Sequence, residues 1–171
     1  MEFIKGIYVG GGESFLPWPD KGCFIPTSSA AAAMCMALTD LTTRGVIKTK
    51  NDNLLLSGQV DYFTAYVCQP FVFPTVQVTE STKVVMVSHQ FGFPQNLEEI
   101  QLVAERNNWE VIEDCTHTID GVSKYRPKIE TTKYAIFNFS NFFPTLLGGG
   151  LWVKDMDTAS RIKNHIKQNN K

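Results

Sequence analysis

The chain has 171 residues, 43% of them hydrophobic, enough for one sizeable core. Lysine plus arginine number 16 against 17 for aspartate plus glutamate, with no long run of either sign, so nothing argues for a nucleic-acid or anionic-membrane surface. Cys23, Cys35, Cys68 and Cys115 form no C-x-x-C pair and no metal-ligand spacing with the histidines, and the N-terminus lacks a signal-peptide pattern, so a reduced, soluble, cytoplasmic protein is expected.

Residues 1–23 are loop-rich in glycine and proline, with one candidate strand at Phe3 to Val9. Gly10, Gly11 and Gly12 invite a phosphate-loop reading, but the Lys and Ser/Thr that complete such a loop do not follow. After Phe24 and Ile25, the segment PTSS leads into AAAAMCMALTDL, a helix by alanine propensity and length, capped by Ser28 or Ser29. Its first turn carries unpaired backbone N–H groups and the positive end of the helix dipole, where a phosphate can sit. An ordinary capped and buried helix satisfies the same pattern. Thr42 to Asp52 is a polar connector, followed by a strand at Leu54 to Leu56. FTAYVCQPF, residues 63–71, opens a short helix that Pro70 and Pro74 stop, and Thr75 to Val78 can form a short strand.

The stretch Lys83 to Asp114 reads as strand, helix, strand. Val84 to Val87 is a short apolar run rich in β-branched residues, the signature of a buried strand. Asn96, three residues before Glu99, marks a capped helix start. Leu97, Ile100 and Ala104 fall on one face, Glu98, Gln101, Glu105 and Arg106 on the other, and the helix ends at Asn107 and Asn108. Trp109 to Ile112 supplies the next strand. A helical crossover of this length predicts a parallel pair, with Glu113 and Asp114 at the carboxyl end of a strand, where open α/β sheets bind ligands. The alternative is that the two carboxylates only cap a loop. Further on, 121–133 is a polar loop, Tyr134 to Phe139 and Leu151 to Val153 are strands, and Asp155 to Lys167 is an amphipathic helix.

The phrase VSHQFGFPQNLEEIQLVAERNNWEVIEDCTHTID resembles the DegT/StrS-type sugar aminotransferases, pyridoxal phosphate enzymes of the aspartate aminotransferase-like fold. His89 to Gly92 matches the His and Gly phrase that ends a strand in that family, and Ile112, Glu113 and Asp114 match its I-E-D triplet. The resemblance runs from about Phe24 to Asp155 and is densest from Val84 to Thr118. It implies an α/β fold, a three-layer α/β/α sandwich with a mostly parallel sheet like the large domain of fold type I pyridoxal phosphate enzymes. It implies a single abbreviated domain over 1–171, without the family's small C-terminal domain.

The resemblance also implies roles. Asp114 meets the pyridine nitrogen of pyridoxal phosphate. Ser28, Ser29 and Ala30 hold its phosphate, with Ser29 or Ala30 where the family has glycine. Tyr66 is the candidate to cover a face of the ring, and His117 to reach the ring oxygen; a packed tyrosine and a structural histidine are the alternatives. The lysine that anchors the cofactor lies, in the family, in the loop between the last two strands. Here that position falls on Asn141 when aligned through Phe142, Phe143 and the Gly148 to Gly150 run, or on Leu146 when aligned through Phe143 to Thr145. Neither side chain is an amine, and Lys133 and Lys154 lie outside the loop. The expected protein is therefore a sugar aminotransferase-like binder of pyridoxal phosphate or a nucleotide sugar, held non-covalently, and a homodimer. The alternatives are an active aminotransferase or dehydratase on a keto sugar nucleotide, and a non-catalytic structural or interaction domain.

Overall fold

A computed structural model describes residues 22–58, 62–118, 132–145 and 148–169. The sequence expectations for Phe3 to Val9, for Gly10 to Gly12 and for Leu146 lie outside those residues. In chain order the elements are β1 (Cys23–Thr27), α1 (Ala30–Thr43), β2 (Asn53–Ser57), α2 (Tyr62–Cys68), β3 (Phe73–Thr75), β4 (Thr82–Ser88), α3 (Leu97–Asn107), β5 (Glu110–Asp114), β6 (Tyr134–Asn138), β7 (Gly149–Val153) and α4 (Met156–Asn169). Single 3-10 turns follow β4 (Gln90–Gly92) and β6 (Phe139–Asn141).

The strands make one sheet in the order β1-β7-β6-β5-β4-β2-β3. Pairing from β3 through β2, β4 and β5 to β6 is parallel. β7 runs antiparallel to both β6 and β1, so β1 points the same way as β6 and its carboxyl end lies on the same sheet edge as those of β4 and β5. β3 is Phe73–Thr75 and not Thr75 to Val78. It is placed by pairing Asn53 with Phe73 and Leu55 with Thr75, and the Phe73 N–H donates to the Asp52 carbonyl at 2.9 Å. β5 includes Glu113 and Asp114 as its last two residues, so both carboxylates belong to the strand and not to the loop after it.

Helix ends follow local chemistry. The Ser29 hydroxyl, and not that of Ser28, caps α1, accepting the Ala32 N–H at 3.2 Å. Asn96 caps α3, and Asn108 ends it in the left-handed region at φ 55°. Asp155 opens α4, its Oδ1 accepting the Thr158 N–H at 2.7 Å.

Alternation along the strands divides the core. One sheet face sends Met86, Ile112, Ile136 and Leu151 against Ala37, Leu38 and Leu41 of α1, with α2 and α4 beside it. The other sends Val85, Val87 and Val111 against Leu97 and Ala104 of α3. The result is helix, sheet, helix in three layers. At the edge away from the carboxyl ends, the Tyr134 hydroxyl donates to Asp40 Oδ2 at 2.6 Å and accepts from Arg44 at 3.0 Å, while Arg161 Nε donates to Asp40 Oδ1 at 2.9 Å. This knot, centred on the buried Tyr134 and Asp40, ties β6 to α1 and α4. No helix among the described residues is long and apolar enough to cross a membrane.

Candidate functional site

Side chains of one parity at the carboxyl edge form a row across adjacent strands. Ser88 pairs with Asp114 across β4 and β5, and Asp114 pairs with Ile136 on β6. Asn138, two residues beyond Ile136, pairs with Gly149, which pairs with Thr27 on β1. All share the parity of Met86, Ile112 and Ile136, and so the face of the sheet that carries α1.

Asp114 is 4% exposed. Its Oδ2 accepts the Ser88 hydroxyl at 3.0 Å and its Oδ1 accepts the Thr116 N–H at 3.0 Å. A carboxylate has about four acceptor sites, so two donors orient Asp114 and leave room for a third. Burial, followed by the nearby charges of Cys35 and Asp114, pushes the Cys68 thiol of α2 up to about 12. Cys68 is buried, its Sγ 3.6 Å from Met34 Sδ on the α1 side of the sheet.

The start of α1 reaches the same edge through β7. The Gly148 N–H donates to the Ser28 carbonyl at 2.9 Å, and a Cβ on Gly149 would lie 2.3 Å from the carbonyl carbon of Ser29. Only a glycine lets the helix tip press this closely on the sheet. With Ala32 capped by Ser29 and Ala33 bonded to the Ser29 carbonyl, the donors left at this tip among the described residues are those of Ala30 and Ala31. The glycine run thus has a packing role that the sequence reading used only as an alignment mark.

Asn141 lies on the turn after β6. Its amide nitrogen donates to the Thr116 carbonyl at 2.8 Å, and its amide oxygen accepts from Asn138 Nδ2 at 3.0 Å. Asn138 also accepts the Ser140 N–H and hydroxyl, at 3.3 and 2.7 Å. These amides stitch the β6 turn to the chain just past Asp114. Asn138 is the site residue that sequence patterns missed, because only the strand register shows which face it takes.

The inward residues of α2 are Thr64 and Cys68, one turn apart, while Tyr62, Phe63 and Tyr66 form its outer stripe and Tyr66 is 62% exposed. The buried end of α2 is Cys68, whose Sγ lies 3.6 Å from Met34 Sδ on α1. His117 Nδ1 accepts the Phe91 N–H at 3.3 Å, with the two rings 5.9 Å apart. Phe91 itself sits at φ 56°, an uncommon conformation for a bulky residue. His117 therefore pins the turn after β4. Lys133 and Lys154 sit before β6 and after β7, at the opposite edge, where Lys133 Nζ lies 3.5 Å from Glu110.

An oriented carboxylate on a strand end and free amides at a helix tip, on one face and one edge, suit a ligand with a protonated ring nitrogen and a phosphate. Pyridoxal phosphate has both, so the residues present fit it.

Comparison with known proteins agrees with this geometry. The sequence model of the DegT/DnrJ/EryC1/StrS aminotransferase family matches residues 75–167, more than half of the chain. GDP-perosamine synthase of Escherichia coli O157:H7 is 38% identical over 66 residues, 39% of this chain and 18% of that protein. Among solved structures, the aminotransferase from Psychrobacter cryohalolentis superposes with a TM-score of 0.69 at 17% identity, covering 84% of this chain and 40% of that one. NtdA from Bacillus subtilis with bound cofactor PMP gives a TM-score of 0.65 at 16% identity, covering 83% and 35%. The chain thus spans less than half the length of each of these relatives. The structural likeness is one of fold, and by the family-model match over more than half of its length the chain belongs to the DegT/DnrJ/EryC1/StrS aminotransferase family.

Proposed function

We propose that this chain binds pyridoxal phosphate or a nucleotide sugar non-covalently and does not transaminate. The observation that carries this reading is Asn141. The connection between β6 and β7, residues 139–148, contains no lysine and no histidine, and Asn141 spends its amide on Thr116 and Asn138. The cofactor, when bound, supplies an electron sink. Asp114 would hold its ring nitrogen, and the amides of Ala30 and Ala31 would hold its phosphate. No amine in this connection stands ready to anchor the ring or move a proton, and loss of a general base alone costs roughly a hundred- to ten-thousand-fold in rate. The name of the GDP-perosamine synthase relative supports a nucleotide sugar as the companion ligand, and the family supports a homodimer.

The test is absorbance titration with pyridoxal phosphate, followed by borohydride and mass spectrometry. Reversible binding abolished by Asp114→Ala, with no mass added by borohydride, is the expected result. Mass fixed to a lysine would establish an active aminotransferase instead. Absence of any binding would leave an interaction domain whose Asp114 serves only Ser88 and Thr116.

A further inference from the structure

Glu113 and Asp114 are adjacent, and strand alternation sends them to opposite faces of the sheet. Asp114 faces α1. Glu113 shares the face of Val111 and Cys115, is fully buried, and has its own set of partners. Its Oε1 accepts the Thr132 hydroxyl and its Oε2 lies 3.3 Å from His89 Nε2, with the Cys115 thiol 4.0 Å away. His89, also fully buried, accepts the Gln95 N–H at Nδ1, at 3.2 Å. A backbone N–H can only donate, so Nδ1 supplies a lone pair and the ring proton sits on Nε2, aimed at Glu113. That tautomer also removes Nε2 as a metal ligand, although His89, Glu113 and Cys115 are close enough to form a ligand set.

The contacts of His89 converge on the site from behind. Its backbone N–H donates to the Asp114 carbonyl at 3.1 Å, and the preceding residue, Ser88, donates its hydroxyl to the Asp114 carboxylate. The turn from His89 to Gln95 is closed by the Gln95 N–H on the His89 ring, and within it the Phe91 N–H is delivered to His117. One buried ring therefore fixes the backbone that carries Ser88, Asp114 and Phe91.

We propose that His89 and Glu113 are a positioning pair: held on the far face of the sheet, they set the turn after β4 and, through it, the orientation of Ser88 and Asp114 toward the ring nitrogen of a bound cofactor. The ligand side of this inference rests on the function proposed above, whereas the hold on the turn does not. A buried second layer of hydrogen bonds of this kind is what keeps a site within its productive geometry.

The experiment separates the two. In the ligand-free full chain, nitrogen NMR of His89 is expected to show the proton on Nε2, and amide exchange at Phe91 and Gln95 is expected to rise at least tenfold in Glu113→Ala. Amides of Leu38 and Met86 should keep their protection, and Glu113→Gln, which still accepts from Nε2, should restore the wild-type pattern. In the same variants, affinity for pyridoxal phosphate should fall roughly tenfold in Glu113→Ala while binding of inorganic phosphate is unchanged, as for other supporting-layer losses. A proton on Nδ1 overturns the inference, as does unchanged exchange at Phe91 and Gln95, or acceleration spread equally over Leu38 and Met86. If the turn loosens as expected but the wild type binds no pyridoxal phosphate, the pair's hold on the turn stands and the proposed function falls.

Discussion

The amide nitrogen of Asn141 lies 2.8 Å from the carbonyl oxygen of Thr116, so the turn after β6 is fastened to the chain two residues past Asp114. Both Asn141 amide groups are engaged, yet the residue is exposed. Asn141→Ala should therefore change global stability by less than about 1 kcal/mol, because water replaces both partners. Amide exchange at Phe142 and Phe143, whose N–H groups both bond to the Phe139 carbonyl, should nevertheless accelerate. Exchange mass spectrometry beside urea unfolding checks both halves.

Gly149 meets the start of α1 backbone to backbone, and neither partner can swing aside. Gly149→Ala places a methyl 2.3 Å from the Ser29 carbonyl carbon and 2.6 Å from the Ala30 nitrogen. Overpacking of this kind costs about 1–3 kcal/mol, and the upper end is expected here. At Gly45 a methyl would meet nothing within 4 Å, so Gly45→Ala should cost only the strain of its φ of +72°, about 1 kcal/mol. Urea midpoints of the two variants should fall in that order.

Tyr134 is fully buried and its hydroxyl both donates and accepts. Burial, then its bond to Asp40, pushes its ionisation far above the ordinary tyrosine range, so it serves as a neutral donor at any working pH. Tyr134→Phe leaves Asp40 with Arg161 and Arg44 with Glu110, but removes the link between the two pairs. A loss of about 1–3 kcal/mol is expected by urea unfolding.

Asp155 at the start of α4 gives the pH dependence. Burial alone would raise its pKa, but the Thr158 N–H and hydroxyl, with Lys133 and Arg161 nearby, take it below the ordinary 3.8. A carboxyl depressed in the folded state adds stability above its unfolded pKa and loses it as pH falls through the folded one. Asp155→Asn keeps the cap and should remove the part of the stability loss below about pH 4 that belongs to this group, whereas Asp155→Ala should cost about 1 kcal/mol at neutral pH. Thermal unfolding at pH 3 and pH 7 distinguishes the two variants.

What the sequence determined by itself was local. Alanine propensity and a serine cap set α1, apolar periodicity and the Asn96 cap set α3, and β-branched runs set β4, because each of these signals is exhausted within a few residues of chain. The I-E-D phrase likewise put an acidic side chain at a strand end. Tertiary structure decided everything that depends on which side chains meet across the sheet. Register, not local pattern, turned Asp114 toward α1 and Glu113 toward His89, put Asn138 opposite Gly149 on the face that carries Asp114, and moved β3 to Phe73–Thr75. The outward turn of Tyr66 and the inward turn of Cys68 were equally hidden, since a seven-residue helix carries too few positions for its buried stripe to be read without the surface it packs on. The role of Gly149 emerged last, because a missing Cβ has meaning only when the backbone of Ser29 is seen to occupy its place.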